Sequence, residues 1–171
     1  IKSIQSGTIT HTTGVSALAS ATITSVVMAA SVVINNGLRN SSANTTVANA
    51  TAHLTLANAT TVTTTNDSSS TPTQVAAYTV IEYYPNVLTT TGVQRGTITI
   101  GSAATSNTAT ITSVNTAKAA VVAGSNHNNG AVNDDTSFAT VVLTNATTVT
   151  CQRTTGSTET PVCAYQVIEF K

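Results

Sequence analysis

The stretch that decides the fold occurs twice. Residues Ala77–Tyr83 read AYTVIEY and residues Ala164–Phe170 read AYQVIEF, so five of seven positions are identical and the last exchanges one aromatic residue for another. The two stretches begin 87 residues apart. Both are rich in the aromatic and β-branched residues that favour strands. The sequence therefore predicts a duplicated unit that closes with a β-strand.

Three further anchors return in the same order, at offsets of 87 to 89 residues. They are Asn58–Thr63 (NATTVT), repeated at Asn145–Thr150, Ala21–Val26 (ATITSV), repeated at Ala109–Val114, and Ile4–Thr10 (IQSGTIT), matched by Val93–Thr99 (VQRGTIT). A period this long makes each copy a small domain rather than a solenoid unit. We therefore predict two modules, 1–84 and 93–171, joined by a linker at 85–92.

Composition indicates a folded, neutral, hydroxyl-rich chain. Of the 171 residues, 38 are Thr, 40% are hydrophobic and 7% are charged, and the formal net charge is zero. Disordered chains combine low hydrophobicity with high net charge, so this chain is expected to fold. The six acidic and six basic residues are dispersed along the chain, with Asp134 and Asp135 as the one adjacent pair, which gives neither a basic face for nucleic acid nor a polybasic membrane patch. We therefore predict no nucleic-acid partner and no membrane partner.

Residue preferences favour strands over helices, because Thr, Val and Ile are common whereas Leu, Glu, Lys and Met are scarce. Short alternating or apolar segments separated by Gly, Asn and Ser turns predict about six strands per module. We expect an all-β protein of two tandem antiparallel β-sandwich modules. The predicted strands are Ser3–Thr10, Ser20–Val27, Ala29–Asn35, Ala50–Ala57, Thr60–Thr65 and Gln74–Tyr84, then Val93–Ile100, Thr108–Val114, Ala117–Ala123, Ser137–Thr144, Thr147–Arg153 and Pro161–Lys171.

Cys151 and Cys163 are the two cysteines of the chain, and Thr64 and Ala76 stand at the corresponding positions of the first copy. They lie at equal distances from Ser157, on the two arms of a predicted hairpin. Directly opposed residues on antiparallel strands bring their Cα atoms within reach of a disulfide. We predict this disulfide, with two buried free thiols as the alternative, and no metal site, because no histidine lies nearby.

Glu82 and Glu169 occupy equivalent positions near the ends of the closing strands. Paired carboxylates can hydrolyse glycosides, but equivalent positions in two tandem modules are expected to lie far apart. We predict structural carboxylates that accept hydrogen bonds at a junction. The sequence has no GxSxG, GxGxxG or P-loop pattern, so we predict no catalytic residue, no cofactor and no enzyme.

The histidines, His11, His53 and His127, share no metal-binding spacing. His53 falls in a predicted strand and the other two fall in predicted loops. The longest polar loops are 37–49 and 125–136. Because loops commonly carry binding residues, these two loops are the predicted place for a specific ligand.

The closing strand is apolar on both faces. If one face, with Cys163, points into the core, then Ile168 and Phe170 emerge on the opposite side. An exposed apolar patch usually marks an interface. We therefore predict a homo-oligomer, with a trimer favoured, whose contacts are made by Ile81, Tyr83, Ile168 and Phe170.

The xQxGTxT opening strand, the central TITSV segment and the AYxVIEF closing strand together resemble a module found in virion proteins of tailed bacteriophages. More distantly, six antiparallel strands resemble the H-type lectin fold, which typically trimerises. The resemblance implies a structural protein on the external surface of the virion, either a capsid decoration (cement) protein or a tail or fibre accessory, with other virion proteins as partners. It carries over no sugar-binding residue, because neither long loop contains a matching motif.

The alternative function is a carbohydrate-binding, lectin-like module that attaches to host-surface glycans. Sugar faces are commonly held by exposed Trp or Tyr side chains. Trp is absent, and the four tyrosines lie in the closing strands rather than in loops: Tyr78, Tyr83, Tyr84 and Tyr165. This distribution favours the structural function.

Overall fold

A computed structural model describes residues 1–11, 18–40, 52–66, 73–127, 138–156 and 158–171 of the chain. Within these residues the protein is all-β, as predicted, with short 3-10 helices at Met28–Ala30 and Pro85–Val87 and no α-helix. The strands are β1 (Ser3–His11), β2 (Leu18–Thr22), β3 (Ser31–Asn40), β4 (Ala52–Asn58), β5 (Thr61–Asn66), β6 (Gln74–Glu82), β7 (Leu88–Thr99), β8 (Ser106–Thr110), β9 (Ala119–His127), β10 (Thr140–Asn145), β11 (Thr148–Gln152) and β12 (Val162–Phe170).

The strands form four three-stranded antiparallel sheets, two in each copy of the repeat. The first copy has the orders β1–β6–β3 and β2–β5–β4, and the second has β7–β12–β9 and β10–β11–β8. Strand for strand these orders are the same, so the predicted pair of sandwich-like modules is confirmed. The closing strands β6 and β12 lie at the centre of their sheets. Strand β12 is buried on both faces, whereas buried and half-buried residues alternate along β6.

Two predicted strands end earlier than expected, because beyond their last residue the backbone bonds to a glutamine side chain instead of to a neighbouring strand. Strands β2 and β8 stop at Thr22 and Thr110, in the middle of the repeated ATITSV segment. The Gln5 side chain then donates to the Thr24 carbonyl at 2.9 Å and accepts from the Thr24 N–H at 2.7 Å. Gln94 makes the same two bonds to Thr112 at the same distances. The glutamine of both opening motifs is therefore a backbone clamp.

The glycine of each opening motif leaves room for a tyrosine ring. Gly7 is directly opposite Tyr78, and Gly96 is directly opposite Tyr165. A Cβ atom built on Gly7 or Gly96 would lie 2.7 or 2.8 Å from the hydroxyl oxygen of its tyrosine. The xQxGTxT and AYxVIEF motifs therefore lie on paired strands. The glycine of the first motif leaves the space that the tyrosine ring of the second motif occupies.

Each module has an apolar core between its two sheets, and a third cluster lies where the modules meet. This junction cluster consists of buried Ala30, Val32, Leu88, Val93 and Ile168, with Ile81, Tyr83 and Phe170 packed against it. The predicted linker at 85–92 extends too far, because residues 88–92 belong to β7 and Leu88 pairs with Phe170. The modules are therefore fastened by packing at the junction and not only by a connecting segment.

Candidate functional site: the module junction

The predicted disulfide between Cys151 and Cys163 is present, but its place in the fold differs from the prediction. Cys151 lies in β11 and Cys163 in β12, which are the central strands of opposite sheets. Their Cα atoms are 6.3 Å apart, and the bond crosses the core rather than a hairpin ladder. The disulfide therefore holds the two sheets of the second module together.

The first module lacks this bond and has a weak point in the same place. Thr64 and Ala76 occupy the positions of the two cysteines, on β5 and β6, and both are buried. The Thr64 hydroxyl has no hydrogen-bond partner among the described residues. A buried hydroxyl without a partner costs about 1–3 kcal/mol, so this site reduces the stability of the first module.

Thr64→Val is expected to raise the free energy of unfolding by about 1 kcal/mol, because a methyl group replaces the unpaired hydroxyl at nearly constant volume. Thr63→Val is a matched control on the same strand, since the Thr63 hydroxyl bonds to that of Thr55 at 2.7 Å. Urea denaturation of both variants measures the difference. A destabilised Thr64→Val variant would show that the hydroxyl has a partner after all.

Glu82 is buried at the end of β6 and is enclosed by donors of its own module. It accepts from Lys2 Nζ at 2.9 Å, the Val27 N–H at 3.0 Å and Ser3 Oγ at 3.1 Å. Burial alone would raise its pKa, but the bonds from Lys2, Val27 and Ser3 outweigh burial and hold the pKa below its usual value. This carboxylate ties the N-terminal strand to the segment before β3.

Glu169 has the equivalent role in the second module. It accepts from the Asn115 N–H at 2.7 Å, Thr89 Oγ1 at 2.8 Å and Thr91 Oγ1 at 3.3 Å. The Asn115 N–H is the main cause of its lowered pKa, followed by the Thr89 hydroxyl, against the opposing effect of burial. The two carboxylates bind different groups in different modules, so their geometry is that of structural carboxylates and not of an acid–base pair.

The four residues predicted to contact another subunit are covered, at least in part, within the chain. Ile168 is buried in the junction cluster, and Ile81, Tyr83 and Phe170 pack against that cluster. The rings of Tyr83 and Phe170, which are equivalent residues, meet edge to face with centroids 5.7 Å apart. The prediction of an exposed patch at Ile168 is therefore wrong, because the other module of the same chain covers this face.

Two polar side chains of the second module clamp the backbone of the first. Gln166 donates to the Val33 carbonyl at 2.6 Å and accepts from the Val33 N–H at 2.8 Å, at the open edge of β3. Arg95 Nη2 donates to the carbonyls of Met28 and Ser31, both at 2.7 Å. Gln166 and Arg95 are directly opposite each other on β12 and β7. Together they fix the position of one module on the other.

Sequence reasoning missed these clamps, although the repeat contains a signal for them. Arg95 and Gln166 stand where the repeated motifs differ, at IQSGTIT against VQRGTIT and at AYTVIEY against AYQVIEF. Among the described residues, their counterparts in the first module, Ser6 and Thr79, bond to first-module groups, including each other at 2.9 Å. Differences between otherwise matching repeats therefore mark the residues that join the two copies.

A cleft of about 170 Å³ lies beside the clamps, between β4 of the first module and β7 and β12 of the second. Its lining includes Leu54, Leu56, Arg95, Thr97 and Tyr165. Burial lowers the pKa of Arg95 and raises that of Tyr165. The described lining residues include no carboxylate and no imidazole.

The prediction that His11 lies in a loop is wrong. It is the last residue of β1, where it is buried. Neither of its ring nitrogens has a hydrogen-bond partner among the described residues, and burial lowers its pKa below 6.5. Ile100, its counterpart in the second module, is fully buried. His53 is buried in β4, and the side chain of His127, the last residue of β9, lies outside the described residues.

His11→Ile is expected to stabilise the chain by about 1 kcal/mol, because it removes a buried polar group without partners. It is also expected to flatten the pH dependence of stability. Because burial lowers the pKa of His11 in the folded chain, the unfolded chain binds a proton at this residue at a higher pH than the folded chain does. The free energy of unfolding is therefore not reduced by His11 protonation above pH 6.5, and it decreases as the pH falls below that value. Denaturation midpoints of wild type and variant at about pH 7.5 and about pH 5.5 measure this; parallel changes would contradict the assignment.

Among the described residues, no group of three His, Cys, Asp or Glu side chains is placed to hold a metal ion. The helices described there are too short to cross a membrane. The two loops predicted to bind a ligand lie largely outside the described residues, which omit 41–51 and 128–137. Comparison of the chain with family models, curated proteins and solved structures gives no significant match.

Proposed function

We propose that the chain is a non-enzymatic structural protein on the external surface of a bacteriophage virion, either a capsid decoration protein or a tail or fibre accessory. The observation that carries this proposal is that the two cysteines and several buried or half-buried charged side chains fasten the fold. Arg153 donates to the carbonyls of Ala104, Glu159 and Gly101. Arg95, Glu82, Glu169 and the two cysteines are likewise engaged in backbone bonds or the disulfide.

The disulfide supports a location outside a reducing compartment. Such bonds persist on virion surfaces and in secreted proteins but are rare in the cytosol. A neutral chain rich in hydroxyl groups, stiffened by a bond through its core, suits a protein that must remain folded on the outside of a particle.

Exposed apolar side chains support binding to other proteins, either more copies of the chain, with a trimer favoured, or other virion proteins. Contiguous exposed apolar patches commonly mark contact surfaces, whereas single exposed apolar side chains are ordinary. The exposed large apolar side chains of the described residues are Ile1, Ile4, Leu18, Val27, Tyr84, Val87, Phe138 and Val142. They are available for contacts that cover and clamp neighbouring subunits.

The lectin-like alternative has less support. Tyr78 and Tyr165 are buried over their glycines, and Tyr83 packs against Phe170. Among the tyrosines, Tyr84 alone is strongly exposed. A single exposed ring is a poor platform for a sugar, so binding to a glycan array is expected to be absent.

Immunogold labelling and mass spectrometry of purified phage particles that encode the chain test the proposal. The expected result is label on the outer surface of intact particles, with the chain present in a fixed ratio to the major capsid or tail protein. A chain that is absent from purified particles would refute the virion assignment. Specific glycan binding without particle labelling would favour the lectin-like alternative.

A further inference from the structure

The contact between the modules is asymmetric. The second module contributes the outer face of its β7–β12–β9 sheet, with Gln166 bonded to Val33 on the edge strand β3. Gly124 of β9 lies against the other edge strand, β4, since a Cβ atom there would be 2.3 Å from the Leu54 oxygen. The outer face of the second module thus covers the open side of the first, the side that ends in β3 and β4.

The duplication implies a second set of both surfaces, and that set is largely uncovered. On the outer faces, Val93 of the second module is 6% exposed, whereas its counterpart Ile4 in the first is 58% exposed. On the edge strands, Val32 of β3 is 2% exposed, whereas its counterpart Ala120 of β9 is exposed. Among the described residues, most of one outer face and one open side therefore remain uncovered, although Val32 and Ile81, on that outer face, take part in the junction cluster.

Both free surfaces carry apolar side chains. Ile4 stands on the free outer face beside Ile81, its partner across β1 and β6. Val142, on the outward face of the edge strand β10, is 39% exposed, whereas its counterpart in the first module, Thr55, lines the cleft at the junction. Phe138, just before β10, is 59% exposed. The equivalents of these two surfaces cover each other at the junction within the chain. Exposed apolar groups on the uncovered pair therefore indicate that the outer face of one molecule covers the open side of a second molecule.

We propose that copies of this chain associate head to tail, with the free outer face of one copy (β1–β6–β3) covering the free open side (β9 and β10) of the next. The contact repeats the one within the chain and is heterologous, so it forms a ring when the rotation closes and a filament when it does not. This inference specifies the multimer of the proposed function. It concerns the isolated chain, however, and is tested without particles.

The contact between copies is expected to be weaker than the contact within the chain. The positions of Arg95 and Gln166 in the second module are occupied by Ser6 and Thr79 in the first. Among the described residues, these shorter side chains bond to groups of the first module. The association therefore relies on apolar contact without long polar clamps. Mass action makes it dependent on protein concentration.

Sedimentation velocity of the full chain from about 1 μM to about 1 mM tests the proposal. Wild type is expected to form species larger than one chain as the concentration rises. Ile4→Asp and Val142→Asp, one on each free surface, are each expected to weaken the association at least about 10-fold. Leu18→Asp is the matched control, because Leu18 is 57% exposed but lies on β2, the sheet edge away from β4.

Mixing the two blocked variants distinguishes a head-to-tail contact from other modes. Ile4→Asp retains an intact open side and Val142→Asp retains an intact outer face, so an equimolar mixture is expected to form a dimer that neither variant forms alone. A mixture that stays monomeric, a wild type that is monomeric to about 1 mM, or an equal loss with Leu18→Asp would overturn the inference. Particle labelling without self-association would overturn this inference only, and self-association of a chain absent from particles would overturn the proposed function only.

Discussion

Replacing both cysteines of the second module, as Cys151→Ala with Cys163→Ala, is expected to lower the free energy of unfolding of the chain by about 3 kcal/mol. The bond closes a short loop, since the cysteines are 12 residues apart, and it restricts the unfolded chain, which typically contributes 2–4 kcal/mol. It also joins the central strands of two sheets, so its loss acts on the whole core of that module.

Guanidinium denaturation with and without a thiol reductant measures this effect. Reductant is expected to bring the wild type down to the stability of the double variant and to leave the double variant unchanged. A wild type whose midpoint does not respond to complete reduction would contradict the assigned role of the disulfide.

Gln166→Leu is expected to lower the free energy of unfolding by about 3 kcal/mol. Leucine has a similar volume but cannot bond to the Val33 N–H and carbonyl, which the Gln166 side chain satisfies in a buried setting. Each buried backbone group left without a partner costs about 1–3 kcal/mol. The loss falls on the junction, and not on the core of either module.

Gln94→Leu is the matched control for Gln166→Leu. Gln94 makes the same pair of bonds to Thr112, but at an exposed site where water can replace it. Its replacement is expected to cost about 1 kcal/mol or less. Chemical denaturation of the two variants side by side measures the contrast, and equal losses would show that burial at the junction does not determine the strength of the clamp.

The parts of the fold that could be predicted from sequence are those fixed by local pattern. The AYxVIEF repeats indicated strands because their apolar residues occupy both faces, and the structure places both strands at the centre of a sheet. The pairing of Cys151 with Cys163 was also predicted. Their location in opposite sheets was not, because equal spacing about a turn does not show whether the chain returns to the same sheet or crosses to the other.

The junction could not be predicted because its residues have no distinctive local pattern. Arg95 and Gln166 read as ordinary polar strand residues, and their function depends on which backbone lies opposite in space. Periodicity showed that Ile168 faces away from its own core, but it could not identify the neighbour that covers it. A comparison of the two copies, residue by residue, would have singled out Arg95 and Gln166.

The proposed function and the head-to-tail assembly both require that the junction makes the two modules one unit. Differential scanning calorimetry of the monomeric chain at low concentration tests this most directly. A single transition is expected, with a ratio of calorimetric to van't Hoff enthalpy of about 1, and Gln166→Leu is expected to separate it into two. Two independent transitions in the wild-type chain, unchanged by Gln166→Leu, would contradict the account.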